Sequence, residues 1–388
     1  MASPLMSAYK ALPISFSYGK GAWLYDNTGD AYLDALTGIA VCGLGHAHPK
    51  VTATITTQAQ KLLHTSNGYH IENQERLAAC LTKLSGMDNA FFVNSGAEAN
   101  ETALKLCRLW GREKNINLPH VIVTERAFHG RTLATLSASG SREIQAGFEP
   151  LVQGFIRVPF NDVAAIRTVL ENRNDVVAIM VEPIQGNGGI RIPDEDYLVQ
   201  LRKLCDAHDC LLILDEIQTG IGRTGKWFAY QHTPIMPDVL TSAKALGDGI
   251  PIGACLAKGR AAELFHPGQH GSTFGGNPFV SAVALTVLET IQEENLLPHI
   301  VKMGQLLQQG LSETLQDHPK VKTIRSKGLM LAVELSAPCG TLPAIGLRER
   351  LLFNVTAENV IRLLPPYIIN ADEVGQIVSR LQKVIAQF

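Results

Sequence analysis

The sequence predicts an α/β fold with a large, mostly parallel sheet and a smaller α+β domain, on three observations. Between residues 90 and 258, seven short apolar segments alternate with stretches of helical periodicity. Several of these segments are apolar at every position, as strands must be when helices cover both faces of their sheet. After about residue 280, long amphipathic stretches precede "GLMLAVEL" and a closing helical pattern, which indicates a second, smaller layer of helices and strands.

Each predicted strand is an apolar run bounded by polar or turn-forming residues. The seven runs are residues 90–94, 120–125, 155–160, 176–183, 210–216, 238–242 and 252–258. The segment "DEDYLVQLRKLCDAHD" between the fourth and fifth runs is predicted to be a helix, because its apolar residues recur at the spacing of one helix face. Those residues are Tyr197, Leu198, Leu201, Leu204, Cys205 and His208.

These patterns divide the chain into three parts. Residues 1–45 contain "GAWLYDNTGDAYLDAL", which is typical of a hairpin with a Thr-Gly turn, and we expect this part to pack with the C-terminal domain. Residues 46–279 carry the predicted strands and are expected to form the large, ligand-binding domain. Residues 280–388 are expected to form the small C-terminal domain.

Composition restricts the class of function. The chain has 46% hydrophobic and 18% charged residues and a formal net charge of −2, which gives no reason to expect nucleic acid or an anionic membrane as partner. The longest apolar runs are far shorter than the roughly 20 residues of a membrane helix, and the N-terminal pattern does not resemble a signal peptide. Seven cysteines without a CxxC motif favour a reducing, cytoplasmic environment with free thiols.

Two charged residues stand where predicted strands end. Ligands of open α/β sheets bind beyond the carboxyl ends of the strands, so these positions are the first place to look for a site. Lys244 closes the run "DVLTSAK" before Gly247 and Gly249, and it is either a surface lysine or a reactive amine. Asp215 ends the run "CLLILD", where a carboxylate either pairs with a cation or carries a perturbed pKa.

A predicted helix N-terminus follows the first strand of the series. Ser95 and Gly96 form a turn and the helix opens at about Ala97, so the first backbone N–H groups and the Ser95 hydroxyl can bind an anion. From this segment alone, an ordinary capped helix is the alternative.

Two more strand ends carry residues suited to a ligand. Phe128 offers a flat apolar face, and Arg131 offers a guanidinium that can bind a carboxylate through two hydrogen bonds. Taken alone, Arg131 could equally be a solvated loop residue. Ser272 and Thr273, in "HGSTFGGNP", are hydroxyl donors beside two glycines.

A literal GxGxxG motif, Gly220, Gly222 and Gly225, is not expected to bind a dinucleotide. That fingerprint needs its glycines at the end of the strand and a helix opening within them. Here the glycines come several residues later, and "KWFAYQH" is not a convincing helix.

Histidine pairs raise the alternative of a metal site. The pairs are His46 with His48, and His266 with His270. "HPGQHG" is a turn rather than a helix face, and no third ligand can be named, so we expect solvated loop histidines and no metal.

One ligand would use a lysine, an aspartate, an aromatic face, a helix-end anion site and an arginine together, namely pyridoxal 5′-phosphate. The lysine amine bonds covalently to the aldehyde of this cofactor, and the aspartate keeps its pyridine nitrogen protonated. The aromatic ring covers one face of the cofactor, and the phosphate lies at the helix N-terminus.

The chain also resembles the class III (ω-amino acid) pyridoxal-phosphate aminotransferases over nearly its whole length. Seven segments carry the resemblance in the order of that family: "GIAVCGLGHAHPKV", "NSGAEANETALKLCR", "FHGRTL", "VEPIQG", "LLILDEIQTGIGRTG", "SAKALGDGIPIGA" and "HGSTFGGNP". The resemblance implies an α/β fold of the aspartate-aminotransferase-like type (fold type I), transaminase activity and a homodimer.

The resemblance also implies roles for residues around the cofactor. Lys244 would carry the cofactor and shuttle a proton, Asp215 would pair with the pyridine nitrogen, and Gln218 would hydrogen-bond the phenolic oxygen. Phe128 and Ile217 would enclose the ring. The phosphate would be held by Ser95, Gly96 and Ala97, and by Thr273 of the partner subunit.

Substrate binding is implied at three further positions. Arg131 would bind the carboxylate far from the reacting amine, Arg362 in "VIRLLPP" would bind the α-carboxylate of glutamate or 2-oxoglutarate, and Ser272 is a further candidate. "FHGRTL" and "GIAV" are most similar to the branch that acts on acetylated ornithine, whereas the ornithine δ-aminotransferases carry a tyrosine at Gly38. Other class III activities remain open, on succinylornithine, N-succinyl-diaminopimelate, ornithine or 4-aminobutyrate or as an aminomutase, and so does a non-catalytic cofactor-binding protein.

Two positions depart from the family pattern. Asn187 stands where the family usually has a glutamate in "IQGxGG", and this change is expected to affect specificity. Asp248 stands at the middle of the three glycines of "ALGGG", and we expect it to be a tolerated surface change.

Overall fold

The chain begins with a three-stranded antiparallel meander. The computed structural model describes residues 4–315 and 317–388. Strands β1 (Phe16–Lys20), β2 (Trp23–Asp26) and β3 (Ala31–Asp34) pair in that order. The Asp26 carboxylate accepts hydrogen bonds from the backbone N–H groups of Thr28 and Asp30 and so closes the turn between β2 and β3. Gly29 in that turn has a φ of 88°, a value that glycine adopts without strain, and the predicted hairpin is confirmed.

Three helices lead from this meander to the main sheet: α1 (Thr37–Ala40), α2 (Pro49–Lys61) and α3 (Glu72–Ser85). The first is irregular, because Thr37, Ile39 and Ala40 all have positive φ angles. Such backbone is costly for residues with side chains and persists only where neighbouring structure holds it.

The centre of the molecule is a seven-stranded sheet, and all seven predicted strands occur in it. They are β4 (Asn89–Val93), β5 (His120–Thr124), β6 (Phe155–Val158), β7 (Val176–Val181), β8 (Leu211–Asp215), β9 (Val239–Ser242) and β10 (Gly253–Ala257). Their order in space is β4-β10-β9-β8-β7-β5-β6, and only β10 runs antiparallel to its neighbours. The prediction of a mostly parallel sheet is confirmed.

Apolar residues on both faces of this sheet are buried. Along β8, Leu212 and Leu214 join one hydrophobic cluster, whereas Leu211 and Ile213 join another on the opposite face. The helices of this part are α4 (Gly96–Glu113), α5 (Leu133–Ala138), α6 (Arg142–Gln145), α7 (Val163–Asn172) and α8 (Tyr197–His208). The predicted apolar face of α8 is buried, with His208 half-buried at its end.

The C-terminal part adds a second antiparallel sheet and long helices. Its elements are α9 (Pro278–Glu293), α10 (Leu296–Leu315), β11 (Val321–Lys327), β12 (Met330–Leu335), α11 (Leu342–Arg348), β13 (Leu351–Leu352), β14 (Asn354–Thr356), β15 (Val360–Leu363) and α12 (Ala371–Ala386). The sheet has the order β11-β12-β15-β14. Strand β13 instead pairs with β3, so the N-terminal meander is completed by this part of the chain. The domain boundaries at residues 45 and 279 remain a prediction.

Helix α9 differs from the amphipathic pattern expected of it. It packs against α2, α3 and α10, and Val283, Ala284, Leu288 and Ile291 among others are buried on several sides. A helix enclosed by other helices is apolar over most of its circumference. Within residues 4–315 and 317–388, no helix is long and apolar enough to cross a membrane.

Candidate active site

A cavity of about 430 Å³ lies beyond the carboxyl ends of β8 and β9 and beside the N-terminus of α4. Most of the predicted site residues line it: Ser95, Gly96, Ala97, Phe128, Arg131, Asp215, Ile217, Gln218 and Lys244. A second cavity of about 860 Å³ adjoins the first and shares Phe128, Arg131 and Asn187 with it. Arg362 lines this second cavity.

Lys244 lies two residues after the end of β9 and begins a single 3₁₀ turn with a φ of 47°. The backbone N–H of Gly247 donates to the Lys244 carbonyl and closes that turn. Within the described ranges, the Lys244 ammonium makes no recorded hydrogen bond or ion pair. Burial, and after it the charge of Arg362, lowers the pKa of Lys244 to about 8, against opposing effects from Asp215 and Glu182. Part of this amine is therefore neutral near neutral pH and able to act as a nucleophile or base.

Asp215 ends β8, and its carboxylate is 3% exposed and accepts hydrogen bonds from three donors. Its Oδ2 accepts from Asn100 Nδ2 at 2.8 Å and from His129 Nδ1 at 2.7 Å, and its Oδ1 accepts from the Ile217 N–H at 3.1 Å. Thr241, on the neighbouring strand β9, donates to Asn100 Oδ1 at 2.8 Å. Hydrogen bonds to the ionised form of a buried carboxylate stabilise its charge and fix its orientation.

Two of these partners, His129 and Asn100, were not among the predicted site residues. His129 lies between Phe128 and Arg131, two predicted site residues, and this position in the sequence could have indicated it. Asn100 is a fully buried polar residue on the apolar face of α4, and such a residue needs a partner. The Asn100 amide also donates to the His129 carbonyl at 2.7 Å, so Asn100 contacts both Asp215 and the other donor to Asp215.

The N-terminus of α4 forms one wall of the cavity. Ser95 is the N-cap, and its hydroxyl accepts from the Glu98 N–H at 3.2 Å. A Cβ atom on Gly96 would lie 2.8 Å from the Ile217 side chain, so only glycine fits there. Helix α4 begins at Gly96, one residue from the predicted start, and its first residues line the cavity. The free N–H groups of a helix N-terminus suit an anion there.

Glu182 fixes the part of the cavity wall that contains Phe128. This buried carboxylate accepts from the backbone N–H of Phe128 at 3.0 Å and from that of Gly186 at 3.0 Å. Burial, together with the negative charge of Asp215, raises the pKa of Glu182 to about 7. The Arg131 guanidinium lies 5.7 Å from the centre of the Phe128 ring.

Among the described residues, the buried Arg362 guanidinium is hydrogen-bonded only to neutral groups. Its side chain is on β15 and is 2% exposed. It donates to Asn187 Oδ1 at 2.8 Å, to Asn354 Oδ1 at 3.0 Å and to Gln218 Oε1 at 3.4 Å. Burial lowers its pKa to about 10, and the charge of Glu182 opposes that effect without a hydrogen bond. This guanidinium is therefore available for a ligand carboxylate.

Ser272 and Thr273 do not line the 430 Å³ cavity of their own chain. The Ser272 hydroxyl accepts from the Gly275 N–H at 2.9 Å and closes a turn. Thr273 is exposed. Both assignments remain predictions.

The two weaker motifs have structural explanations. No helix opens at Gly220, Gly222 and Gly225, which lie in successive turns. Arg223 in this segment is fully buried and donates to the carbonyls of Leu329 and Pro365. Some of the histidines are not solvated as expected. His46 is half-buried 2.8 Å from Asp34, and His270 stacks on Phe91 with ring centres 4.8 Å apart.

The expectation of a simple surface change at Asp248 was wrong, because this residue is half-buried and hydrogen-bonded. Its Oδ1 accepts from the backbone N–H of Leu44 at 2.9 Å, and burial raises its pKa to about 7. The sequence pattern placed it in a glycine-rich turn, and the partner at Leu44 comes from a distant segment.

Comparison with known proteins decides the family. The sequence profile described as "Aminotransferase class-III" matches residues 6–385. The chain belongs to the class III aminotransferases. It is 52% identical to "Acetylornithine aminotransferase" of Nitrosomonas europaea, over 100% of this chain and 98% of that protein.

Two solved structures of aminotransferases are similar throughout. The acetylornithine aminotransferase of Elizabethkingia anophelis has a TM-score of 0.88 and 35% identity, covering 99% of this chain and 96% of that one. A structure of the ornithine aminotransferase of Toxoplasma gondii, described as having PLP at its active site, has a TM-score of 0.95 and 33% identity, covering 99% and 92%. This class III aminotransferase is a pyridoxal 5′-phosphate-dependent transaminase with the aspartate-aminotransferase-like α/β fold.

The cavity fits that cofactor. Lys244 supplies an unpartnered amine, Asp215 an anchored carboxylate, and α4 a set of backbone donors with no Cβ at Gly96. Phe128 and Ile217 supply apolar walls for a flat ring. Negative charge on a phosphate would also be favourable beside two cations whose pKa values burial lowers.

Asp215→Asn tests the role of the anchored carboxylate. We expect turnover to fall on the order of a thousand-fold, because a neutral amide does not stabilise a protonated pyridine nitrogen. Single-turnover absorbance changes of the cofactor measure the effect. Asp317→Asn, at an exposed position two residues after the end of α10, is the control and should be unaffected. Near-normal turnover in Asp215→Asn would reduce Asp215 to a structural carboxylate.

Proposed function

We propose that this enzyme transfers the δ-amino group of N2-acetyl-L-ornithine to 2-oxoglutarate, giving N-acetyl-L-glutamate 5-semialdehyde and L-glutamate, a step of arginine biosynthesis. The observation that carries the proposal is a pair of arginines in two adjoining cavities: Arg131 lines both, and Arg362 lines the one next to the cavity of Lys244. The names of full-length relatives at 43–52% identity support the same substrate.

The two arginines suit two carboxylates in different positions. Arg131 is exposed at the mouth of the cavity and binds the carboxylate of acetylornithine, which lies far from the reacting amine. Arg362 is buried and binds the α-carboxylate of 2-oxoglutarate or glutamate, whose reacting carbon is adjacent. Planar guanidinium groups suit both, since they bind carboxylates through paired hydrogen bonds.

The chain supplies the positioning and the proton transfer. Pyridoxal phosphate, when bound, supplies an aldehyde that carries the amino group and a ring that accepts electrons from the broken C–H bond. Lys244 Nζ would take the proton from the substrate carbon that bears the amino group and deliver it to the aldehyde carbon of the cofactor. Asp215 holds the positive charge of the pyridine nitrogen, and Gln218 donates to the phenolic oxygen.

The remaining cofactor contacts follow the walls of the cavity. Phe128 and Ile217 enclose the ring, and Ser95, Gly96 and Ala97 bind the phosphate at the start of α4. The phosphate assignment is supported by Gly96, where a Cβ atom would lie 2.8 Å from the Ile217 side chain. Ser272 is proposed as a substrate contact, although its hydroxyl already serves the turn at Gly275.

We also propose a homodimer in which Thr273 contacts the phosphate in the partner's cavity. The segment 62–69 contacts the segment of Thr273, since Asn67 Nδ2 donates to the Ser272 carbonyl at 2.9 Å. A second copy would cover the exposed apolar side chains of these two segments: Leu62 (46% exposed), Leu63 (55%), Tyr69 (74%) and Phe274 (59%). The His64 and Phe274 rings lie 5.3 Å apart. The cytoplasm is the compartment that the free cysteines and the biosynthetic reaction suit.

Steady-state kinetics with three amine donors tests the substrate. We expect kcat/KM for acetylornithine to exceed that for ornithine and succinylornithine by about tenfold or more, the factor that roughly 1.4 kcal/mol of differential transition-state binding gives. A higher value for either competitor would overturn the proposed substrate and leave the transaminase chemistry intact.

Borohydride reduction tests the reactive lysine. Peptide mass mapping should place the reduced cofactor on Lys244, because its amine is unpartnered and partly neutral at pH 7–8. Lys244→Ala should abolish turnover and still bind the cofactor non-covalently, seen as absorbance that dialysis removes. An adduct on another lysine would contradict the assignment.

Mixed dimers test the shared site. Chains carrying Lys244→Ala and chains carrying Thr273→Ala are each expected to be impaired. If Thr273 serves the partner, one site of the heterodimer contains both changes and the other contains neither, so activity should partly return on subunit exchange. Heterodimers verified by mass that show no recovery would place Thr273 in the site of its own chain.

Asn187→Glu tests how Arg362 is kept available. The Arg362 guanidinium donates to Asn187 Oδ1 at 2.8 Å. A carboxylate at position 187 would pair with this guanidinium roughly twice as strongly as the amide does. We expect the KM for 2-oxoglutarate and glutamate to rise about tenfold while the acetylornithine half-reaction changes little. Asn187→Gln, which has the same length without the charge, is the control. Unchanged glutamate affinity in Asn187→Glu would show that position 187 does not gate Arg362.

A further inference from the structure

Asp248 joins two segments that both form walls of the 430 Å³ cavity. It is the only residue with a polar side chain between Lys244 and Pro251, in the segment "ALGDGI". Its Oδ1 accepts from the Leu44 N–H at 2.9 Å, and Leu44 itself is fully buried. The cavity is lined by residue 41 from one segment and by residues 244, 249 and 250 from the other.

Neither segment is held by regular secondary structure. Lys244 and Asp248 both have a φ of 47°, and the four residues just before residue 41 all have positive φ, three of them with a Cβ atom. Left-handed backbone at residues with a Cβ is strained and needs outside contacts to persist. A side-chain hydrogen bond between the two segments supplies such a contact.

The segment around Leu44 is tied down on its other side as well. The Tyr367 N–H donates to the Gly43 carbonyl at 2.7 Å, and the Cys42 N–H donates to the Thr37 carbonyl at 3.0 Å. A Cβ atom on Gly249 would lie 3.9 Å from the Cys42 sulfur, so the two segments are in contact next to Asp248. This segment therefore connects the loop after Lys244 to the C-terminal part of the chain.

We propose that Asp248 is a positioning residue for Lys244, which fastens the loop that carries the lysine to the segment 41–46. The proposal rests on the role proposed above for Lys244 in proton transfer. The tether keeps the lysine loop and the wall at Val41 at a fixed separation, so that Nζ meets the reacting carbon in one geometry.

Asp248 acts through the backbone rather than through its charge. Its observed contact is a hydrogen bond to a backbone N–H group, which a neutral oxygen accepts as well as a charged one does. A neutral acceptor of the same shape at position 248 should therefore serve nearly as well.

Two substitutions separate the tether from the backbone. Asp248→Gly accepts the left-handed φ without strain but removes the acceptor, whereas Asp248→Asn tolerates the same φ and keeps an Oδ1 acceptor. In the holoenzyme, hydrogen–deuterium exchange of the Leu44 amide should be at least about tenfold faster in the glycine variant and within about threefold of the parent in the asparagine variant. Asp317→Gly is the matched control at an exposed position.

Kinetics with the best amine donor supply the second readout. We expect kcat to fall about tenfold in Asp248→Gly with both KM values within about twofold, because Arg131 and Arg362 are untouched, and to recover in Asp248→Asn. Parent-like exchange and kcat in the glycine variant would overturn the proposal. Protected exchange with a low kcat in the asparagine variant would also overturn it, since charge would then be what matters. Failure of the proposed substrate is distinguished by the unmodified enzyme, which would not turn over acetylornithine.

Discussion

The hydrogen bonds of the buried Asp215 carboxylate are the interaction on which the rest of the cavity depends. An ionised carboxylate in a nearly dry place is tolerated only when donors surround it. The donors come from α4, through Asn100, and from the loop after β5, through His129. Satisfying one charge therefore fixes the helix end that faces the cavity and the loop that presents Phe128 and Arg131.

The balance of buried charge explains why the cavity suits anionic groups. Arg362 is buried and Lys244 is half-buried, and burial lowers the pKa of each. Asp215 and Glu182 offset part of that positive charge, but the hydrogen bonds of Glu182 are used on two backbone N–H groups. Arg362 is left with amide partners alone among its hydrogen bonds in the described ranges, so a ligand carboxylate gains both charge and hydrogen bonds there.

Sheet order brings the lysine loop and the anion-binding helix together. Strand β10 runs between β4 and β9, so the loop that joins β9 to β10 lies next to the helix that follows β4. The contact is close: a Cβ atom on Gly253, at the start of β10, would lie 2.4 Å from the Ser95 carbonyl oxygen. The segments come from residues about 150 apart in the sequence and meet only because of that order.

The sequence by itself determined the local features of this protein. Apolar runs, helical periodicity and turn residues are local, so they predicted all seven strands, the buried face of α8 and the positions of Lys244 and Asp215 at strand ends. Only the tertiary structure decided which polar groups meet. Asn100 and His129 lie 115 and 86 residues from the carboxylate they bind, and Asp248, expected at the surface, accepts a hydrogen bond from a residue 204 positions away. No local pattern encodes which strands become neighbours, and a polar residue can be assigned a partner only after the chain has brought the two together.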